Sequence, residues 1–204
     1  MKKFELTTEF ITNAFGKKLF RIKALVEFGD VKAGELGGYV EKEGNVSQAG
    51  NAWVYGNAWV YGNARVYGDA RVYGDARVYG DAWVYGDARV YGDARVYGDA
   101  RVYGNAEVSG NAEVYGDARV CGNAWVYGNA DYALVQGFGT EFRCTTFYRG
   151  KNKKIMVNCG CFHGDLEGFR KQVKETRNGK IAKEYLMIAD LMEYHFTSED
   201  SSDE

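Results

Sequence analysis

Thirteen valines stand six residues apart without interruption from Val54 to Val126, and the residues between them spell Ala-x-Val-Tyr-Gly-Asp, or its Asn variant, almost every time. A fixed short period predicts a solenoid, in which each unit buries its apolar side only by stacking on its neighbours. The unit does not suit a helix, because 3.6 residues per turn would walk the valine around the cylinder and bury charges. It suits short strands joined by tight turns. In the hexad from Ala64 to Asp69, alternation sends Ala64 and Val66 to one face and Arg65 and Tyr67 to the other. Gly68-Asp69 then makes the corner, since glycine tolerates positive φ and Asp or Asn tolerate it better than most residues.

This small-residue, x, aliphatic rhythm resembles the hexapeptide-repeat family. The resemblance implies a left-handed parallel β-helix with three hexads per triangular coil. Val40 and Val46 open it ahead of a two-residue insertion around Ala49 and Gly50, which makes fifteen strands and five coils over residues 36–130. At strand spacing of about 4.8 Å the prism is roughly 24 Å long. Residues eighteen apart then stack. One face carries Trp53, Arg71, Arg89, Glu107 and Trp125; the second Trp59, Arg77, Arg95 and Glu113; the third Arg65, Trp83, Arg101 and Arg119.

The flanks depart from the period. Residues 1–35 read as an N-terminal β cap, with strands over 4–7 and 18–26 and a turn near Asn13 to Lys18, covering strand edges that would otherwise recruit another chain. Residues 131–196 read as a small α+β module. Its expected strands are 132–136, 144–149 and 154–159, followed by a helix capped by Asp165 and ended at Asn178-Gly179. A second helix begins at Ile181, with Tyr185, Ile188, Leu191, Met192 and His195 broadly along one side. Residues 197–204 are acidic, carry no apolar side chain, and are expected to be disordered. The fold class is mainly β: a left-handed parallel β-helix with an N-terminal hairpin cap and a C-terminal α+β module.

Eleven tyrosines accompany the arginines from Tyr55 to Tyr127, so each wall is richer in aromatics than a plain solvent surface. Tyr, Trp and Arg are enriched at interfaces, which predicts self-association, as a homotrimer if the family resemblance extends to assembly. Residues 41–130 sum to minus 3 and residues 131–196 to plus 3. Duplex DNA is therefore not expected as a partner. No apolar run suits a membrane span, the start has no secretory pattern, and the four cysteines lack framework spacing, so the chain reads as cytoplasmic with unpaired thiols.

Two groups of residues are candidates for holding a small anion. On the helix they are Arg71, Arg77, Arg89, Arg95 and Arg101 with Tyr73, Tyr79, Tyr91 and Tyr97, since guanidinium suits phosphate and a ring suits a base. In the C-terminal module they are Thr145, Thr146, Tyr148, Arg149, His163, Arg170 and Lys171, with Lys151, Lys153, Lys154, Lys174 and Arg177 as further cations if hairpin tip and helix converge. The competing reading of these cations is a solvated surface. Cys144, Cys159, Cys161 and His163 are the one set that offers four zinc ligands, and Cys161 with His163 the one nucleophile and base pair; neither spacing supports the chemistry. No metal, cofactor or catalytic residue is expected.

The 20–25 segment Phe-Arg-Ile-Lys-Ala-Leu, the 29–40 segment Gly-Asp-Val-Lys-Ala-Gly-Glu-Leu-Gly-Gly-Tyr-Val, the repeats, Thr145-Thr146-Phe147-Tyr148 and Cys159-Gly160-Cys161-Phe162 together make the chain similar to phage and prophage hexapeptide-repeat proteins. That resemblance implies a viral or prophage origin and an oligomeric helix, without a substrate. Three function classes follow. An acyltransferase needs a histidine base by the helix, and no histidine precedes His163. A binding protein would sequester a small nucleotide-like host signal without chemistry, acting against host defence. A scaffold would use the helix as a spacer and grip a protein partner. Non-catalytic binding is the favoured expectation.

Overall fold

The computed structural model describes residues 2–142 and 144–197. The chain is mainly β: a parallel β-solenoid of about five turns, closed at one end by an antiparallel hairpin and at the other by an antiparallel sheet with two helices. Strands β1 (Phe4–Thr12), β2 (Lys18–Ala24) and β3 (Leu36–Val40) precede thirteen two-residue strands, β4 to β16, which run from Trp53–Val54 to Trp125–Val126. From β4 to β13 each pairs in parallel with the strand eighteen residues on, so Arg71 lies between Trp53 and Arg89, Arg95 between Arg77 and Glu113, and Arg101 between Trp83 and Arg119. The insertion after Val46 is accommodated in the first coil: Val40 and Val46 pair twenty residues ahead with Val60 and Val66, whereas Val54 pairs eighteen ahead with Val72.

The valines and alanines of the repeat are completely buried and form one continuous column. Stacking fills it, since in the central coils the backbone amides beside the strands bond to the next coil, as Arg89 N–H does to Ala106 C=O at 2.9 Å. The corners differ from expectation in one respect. Only the glycine takes positive φ, for example +71° at Gly86, and the Asp or Asn after it does not. Glycine is required twice over there, because a Cβ on Gly86 would lie 2.9 Å from the backbone nitrogen of Gly104.

The tyrosines depart further. Strands two residues long end before them, so they sit at the corners, and those of the central coils are half-buried and stack face to face down the prism. Tyr67, Tyr85 and Tyr103 lie 4.8 and 4.9 Å apart within 2° of parallel. Tyr61, Tyr79, Tyr97 and Tyr115 form a second stack, and Tyr73 and Tyr91 a third. The coil repeat sets ring spacing close to the preferred contact distance of aromatic pairs.

At the N-terminal end β1 runs to Thr12, past the expected Thr7, because Phe10 pairs with Phe20 across the hairpin. The hairpin is continuous with the second face of the prism through β3. Trp53, placed outward by alternation, is instead fully buried between the rings of Phe4 and Phe28. The buried Lys3 ammonium donates to Gly50 O and Ala52 O, carbonyls that have no further coil above them, at 3.3 and 2.8 Å. Its desolvation lowers its pKa to about 8.

At the other end β17 (Tyr132–Val135), β18 (Thr145–Arg149), β19 (Ile155–Cys159) and β20 (Phe162–Asp165) form the antiparallel sheet. The sequence reading missed β20, whose register pairs His163 with Asn158. Helix α1 (Leu166–Thr176) starts at Asp165, whose carboxylate accepts from Gly168 N–H at 2.9 Å, and stops before Arg177, short of Asn178. Helix α2 (Gly179–Thr197) buries Tyr185, Ile188, Ala189, Met192 and Phe196. That stripe excludes Leu191 and His195, both exposed. Thr197 closes α2 rather than opening a disordered tail; the remainder of that tail, 198–204, lies outside the described residues. No helix among the described residues is long and apolar enough to cross a membrane.

Candidate binding site

The three faces treat their arginines differently. On the first, Arg71 pairs with Asp30 at 2.9 Å, and Arg89 reaches Glu107 at 3.6 Å. Glu107 also accepts from Lys151 at 2.8 Å, which holds its carboxyl below the usual range. On the second, Arg95 pairs with Glu113 at 2.9 Å, and Arg77 lies 4.4 Å over the Trp59 ring. On the third, Arg65 and Arg101 lie on Trp83 at 5.8 and 4.9 Å, and Arg119 follows Arg101 in register. Among the described residues Arg65, Arg101 and Arg119 form no ion pair, so this face carries three such arginines where the second face carries one, Arg77.

Arg101 and Arg119 open onto a cleft of about 310 Å³ where the C-terminal module meets the third face. Asp99, Asp117, Gln136, Phe142 and Cys144 also line it. Phe142 is 66 % exposed and held at φ +48°, a left-handed conformation that a bulky side chain adopts at a cost. Burial pushes the Cys144 thiol up, which keeps it a weak nucleophile. Two guanidinium groups one coil apart, an available ring and flanking carboxylates can hold a planar, donor-bearing anion.

The tyrosines named from sequence lie elsewhere. Tyr73 and Tyr91 stack at one corner, where Tyr91 reaches Glu107 at 3.4 Å, and Tyr79 and Tyr97 at another, where Tyr97 donates to Glu113 at 3.1 Å. Burial and that carboxylate raise the Tyr97 pKa to about 12. Of the five arginines named, only Arg101 reaches the cleft.

The C-terminal candidates mostly join the module to the last coil. Thr146 Oγ1 accepts from Arg119 N–H at 3.0 Å, and Thr145 donates to Cys159 Sγ at 3.1 Å. The Tyr148 hydroxyl, fully buried, lies 3.3 Å from Cys121 Sγ and 3.0 Å from His163 Nε2, and burial raises its pKa far above the ordinary phenol value. Asn158 Nδ2 completes the contact, donating to Tyr103 Oη and Cys121 Sγ. His163 packs against Gly122.

The basic residues do not converge. Arg149 pairs with Asp131 at 3.0 Å, and Lys154 with Asp165 at 3.3 Å. Arg170 binds Glu167, Asp190 and Glu193 at 2.7 to 2.8 Å, which raises its pKa further, and Lys171 approaches Glu175 at 3.9 Å. Lys153 serves the hairpin turn through its φ of +61°. Among the described residues no cluster of three or more His, Cys, Asp or Glu can hold a metal ion, and all four cysteines are free, with Cys161 exposed.

Sequence reasoning passed over Arg119 as a site residue. It also passed over the two breaks in the tyrosine column, Ser109 and Cys121, which were legible signals. Cys121 stands where a fourth ring would extend the Tyr67, Tyr85, Tyr103 stack, and the Tyr148 hydroxyl approaches it there. Ser109 is fully buried, and the Tyr127 carbonyl closes onto the position of a Gly110 Cβ.

A search of curated proteins finds no match. A family model described as the YdcK beta solenoid repeat matches residues 58–71, 70–86, 82–98, 88–103, 94–110 and 112–128. Over those residues, which include Arg65, Trp83, Arg101 and Arg119, the chain is similar to that β-solenoid repeat, while both caps lie outside the match.

Proposed function

We propose that this chain is a non-catalytic binding protein that sequesters a small anionic, nucleotide-like ligand in the cleft between the third face and the C-terminal module. One observation carries the reading: Arg101 and Arg119 are adjacent rungs without an ion-pair partner among the described residues, and both line a cleft that also presents Phe142. Guanidinium groups take the phosphate, the ring takes the base, and Asp99 or Asp117 accepts from its amino group. The site offers no histidine, which fits stoichiometric binding better than acyl transfer. By resemblance to the hexapeptide-repeat family the prism is left-handed and three copies assemble. By resemblance to its phage members the setting is the cytoplasm of an infected bacterium, and from that setting and the arginine and aromatic composition we read the ligand as a host defence signal.

Native mass spectrometry of protein purified gently from phage-challenged cells tests this reading. The expected result is an oligomer carrying a few hundred daltons of extra mass, lost on Arg101→Ala with Arg119→Ala while assembly persists. A clean oligomer with no affinity for any nucleotide rejects it. That outcome favours a scaffold instead, for which the exposed stripe of Met187, Leu191 and Tyr194 on α2 is the supporting observation.

A further inference from the structure

The Tyr67, Tyr85, Tyr103 stack ends at a missing rung. In the first coil the position above Tyr67 is held by Ser47, whose N–H bonds to Val66 O at 2.9 Å as the register requires. Above Arg65 stands Asn45, which is turned inward and fully buried, its amide donating to Gly62 O and Ala64 O at 3.1 and 2.9 Å. Asn45 is thus turned away from the ladder, and Ser47 brings no ring to it. The chain then swings away into the insertion, and a cleft of about 600 Å³ is left, lined by Val46, Ser47, Arg65, Val66, Tyr67 and Trp83, and also by Gly44, Gln48 and Glu43, whose carboxylate is paired with Lys2 at 2.6 Å. The parallel stack through Tyr61 ends differently, under Glu41, whose N–H bonds to Val60 O and whose carboxylate accepts from Gly62 N–H at 2.6 Å.

We infer that this cleft is a second binding site, separate from the one at Arg101 and Arg119, for a small planar aromatic anion that stacks on Tyr67 as the next rung and places its negative group on Arg65. Three observations converge on that class. Tyr67 has a parallel ring at 4.8 Å below it and no ring above it. The Arg65 guanidinium, beside it on the same coil, is exposed and has no ion-pair partner among the described residues. The floor is apolar, made by Val46, Val66 and the Trp83 ring, which meets Tyr67 edge-on at 6.1 Å. A flat ring gains contact on one face from the phenol and at its rim from apolar groups, and an anion at its edge completes the fit.

The substitution that tests this is Ser47→Tyr, which supplies the absent rung from the protein itself. Titration with 2-naphthoate and with adenosine monophosphate, followed by calorimetry and by the Tyr67 ring-proton shifts, should show saturable binding to the wild type. Ser47→Tyr and Arg65→Gln should each weaken binding at least tenfold, and adenosine and inorganic phosphate should each bind at least tenfold more weakly than the monophosphate. Arg101→Ala with Arg119→Ala should leave the Tyr67 shifts unchanged, which separates this site from the other. Absence of saturable binding by both probes, equal binding to Ser47→Tyr and Arg65→Gln, or protection of Tyr67 by a second copy of the chain would overturn the inference.

Discussion

Raising the pH from 10 to 12 is expected to unfold the protein steeply. Tyr55, Tyr97 and Tyr103 are held up to about 12, each mainly by burial, with Asp30 and Glu113 accepting from the first two and the Cys121 thiol acting in the same direction on the third. Tyr132 and Tyr148 are raised further by burial, and Tyr61, Tyr67, Tyr73, Tyr79 and Tyr85 are shifted in the same direction. In the unfolded chain phenols ionise near pH 10, so above that value the unfolded state holds fewer protons and stability falls as pH rises. Each such tyrosine contributes a slope of up to about 1.4 kcal/mol per pH unit. Solvent screening discounts the ladder positions heavily, yet a combined slope of roughly 2 kcal/mol per unit is a large fraction of a marginal stability.

Lys3 acts in the opposite sense over a lower window. Its folded pKa is about 8 against an unfolded value of 10.5, so the unfolded state binds the extra proton and stability rises between those limits. Denaturant midpoints followed from pH 7 to 12 should therefore climb above 8 and turn over beyond 10, and Lys3→Met should flatten the climb. Phenolate absorbance that titrates as in free tyrosine, with an unchanged midpoint from pH 10 to 12, would refute this account.

Tyr148→Ala should cost about 3–5 kcal/mol, the range for deleting a buried aromatic ring. The ring is fully buried between module and prism, and its hydroxyl connects Cys121 to His163. The distinguishing readout is chemical. Cys121 is 3 % exposed, so a thiol reagent with peptide mapping should leave it unmodified in the wild type and label it in the variant. Tyr148→Phe keeps the ring and should protect Cys121 nearly as well. Equal labelling of Cys121 in wild type and Tyr148→Ala would mean that the module does not close the last coil.

The solenoid was legible because its period is local: one hexad states which residues are inside. Three hexads per coil came from the resemblance to the hexapeptide-repeat family, and with it the face membership of Arg71, Arg95 and Arg101 could be read. Trp53 could not, because its burial depends on Phe4 and Phe28, which lie outside the repeat. The C-terminal cations were misjudged for a related reason. Composition counts charges, whereas Glu167, Asp190 and Glu193 reach Arg170 from two different helices, and only the α1 and α2 packing brings them together. The cleft at Arg101 and Arg119 also depends on where the module docks, which no hexad encodes. Strand β20 was missed because Gly160 precedes it and Gly164 lies within it, so the segment read as loop.

The repeat makes the prism a counting device. Because every partner in the central coils stands eighteen residues away, gain or loss of eighteen residues would lengthen or shorten the molecule by one step of about 4.8 Å and return both ends to the same azimuth. A change of six would instead swing the C-terminal module about a third of a turn around the axis, onto a different row of outward side chains. Genetic drift in the copy number of such similar units thus sorts into two kinds, one that tunes the distance between the ends and one that reassigns which face the far end looks along.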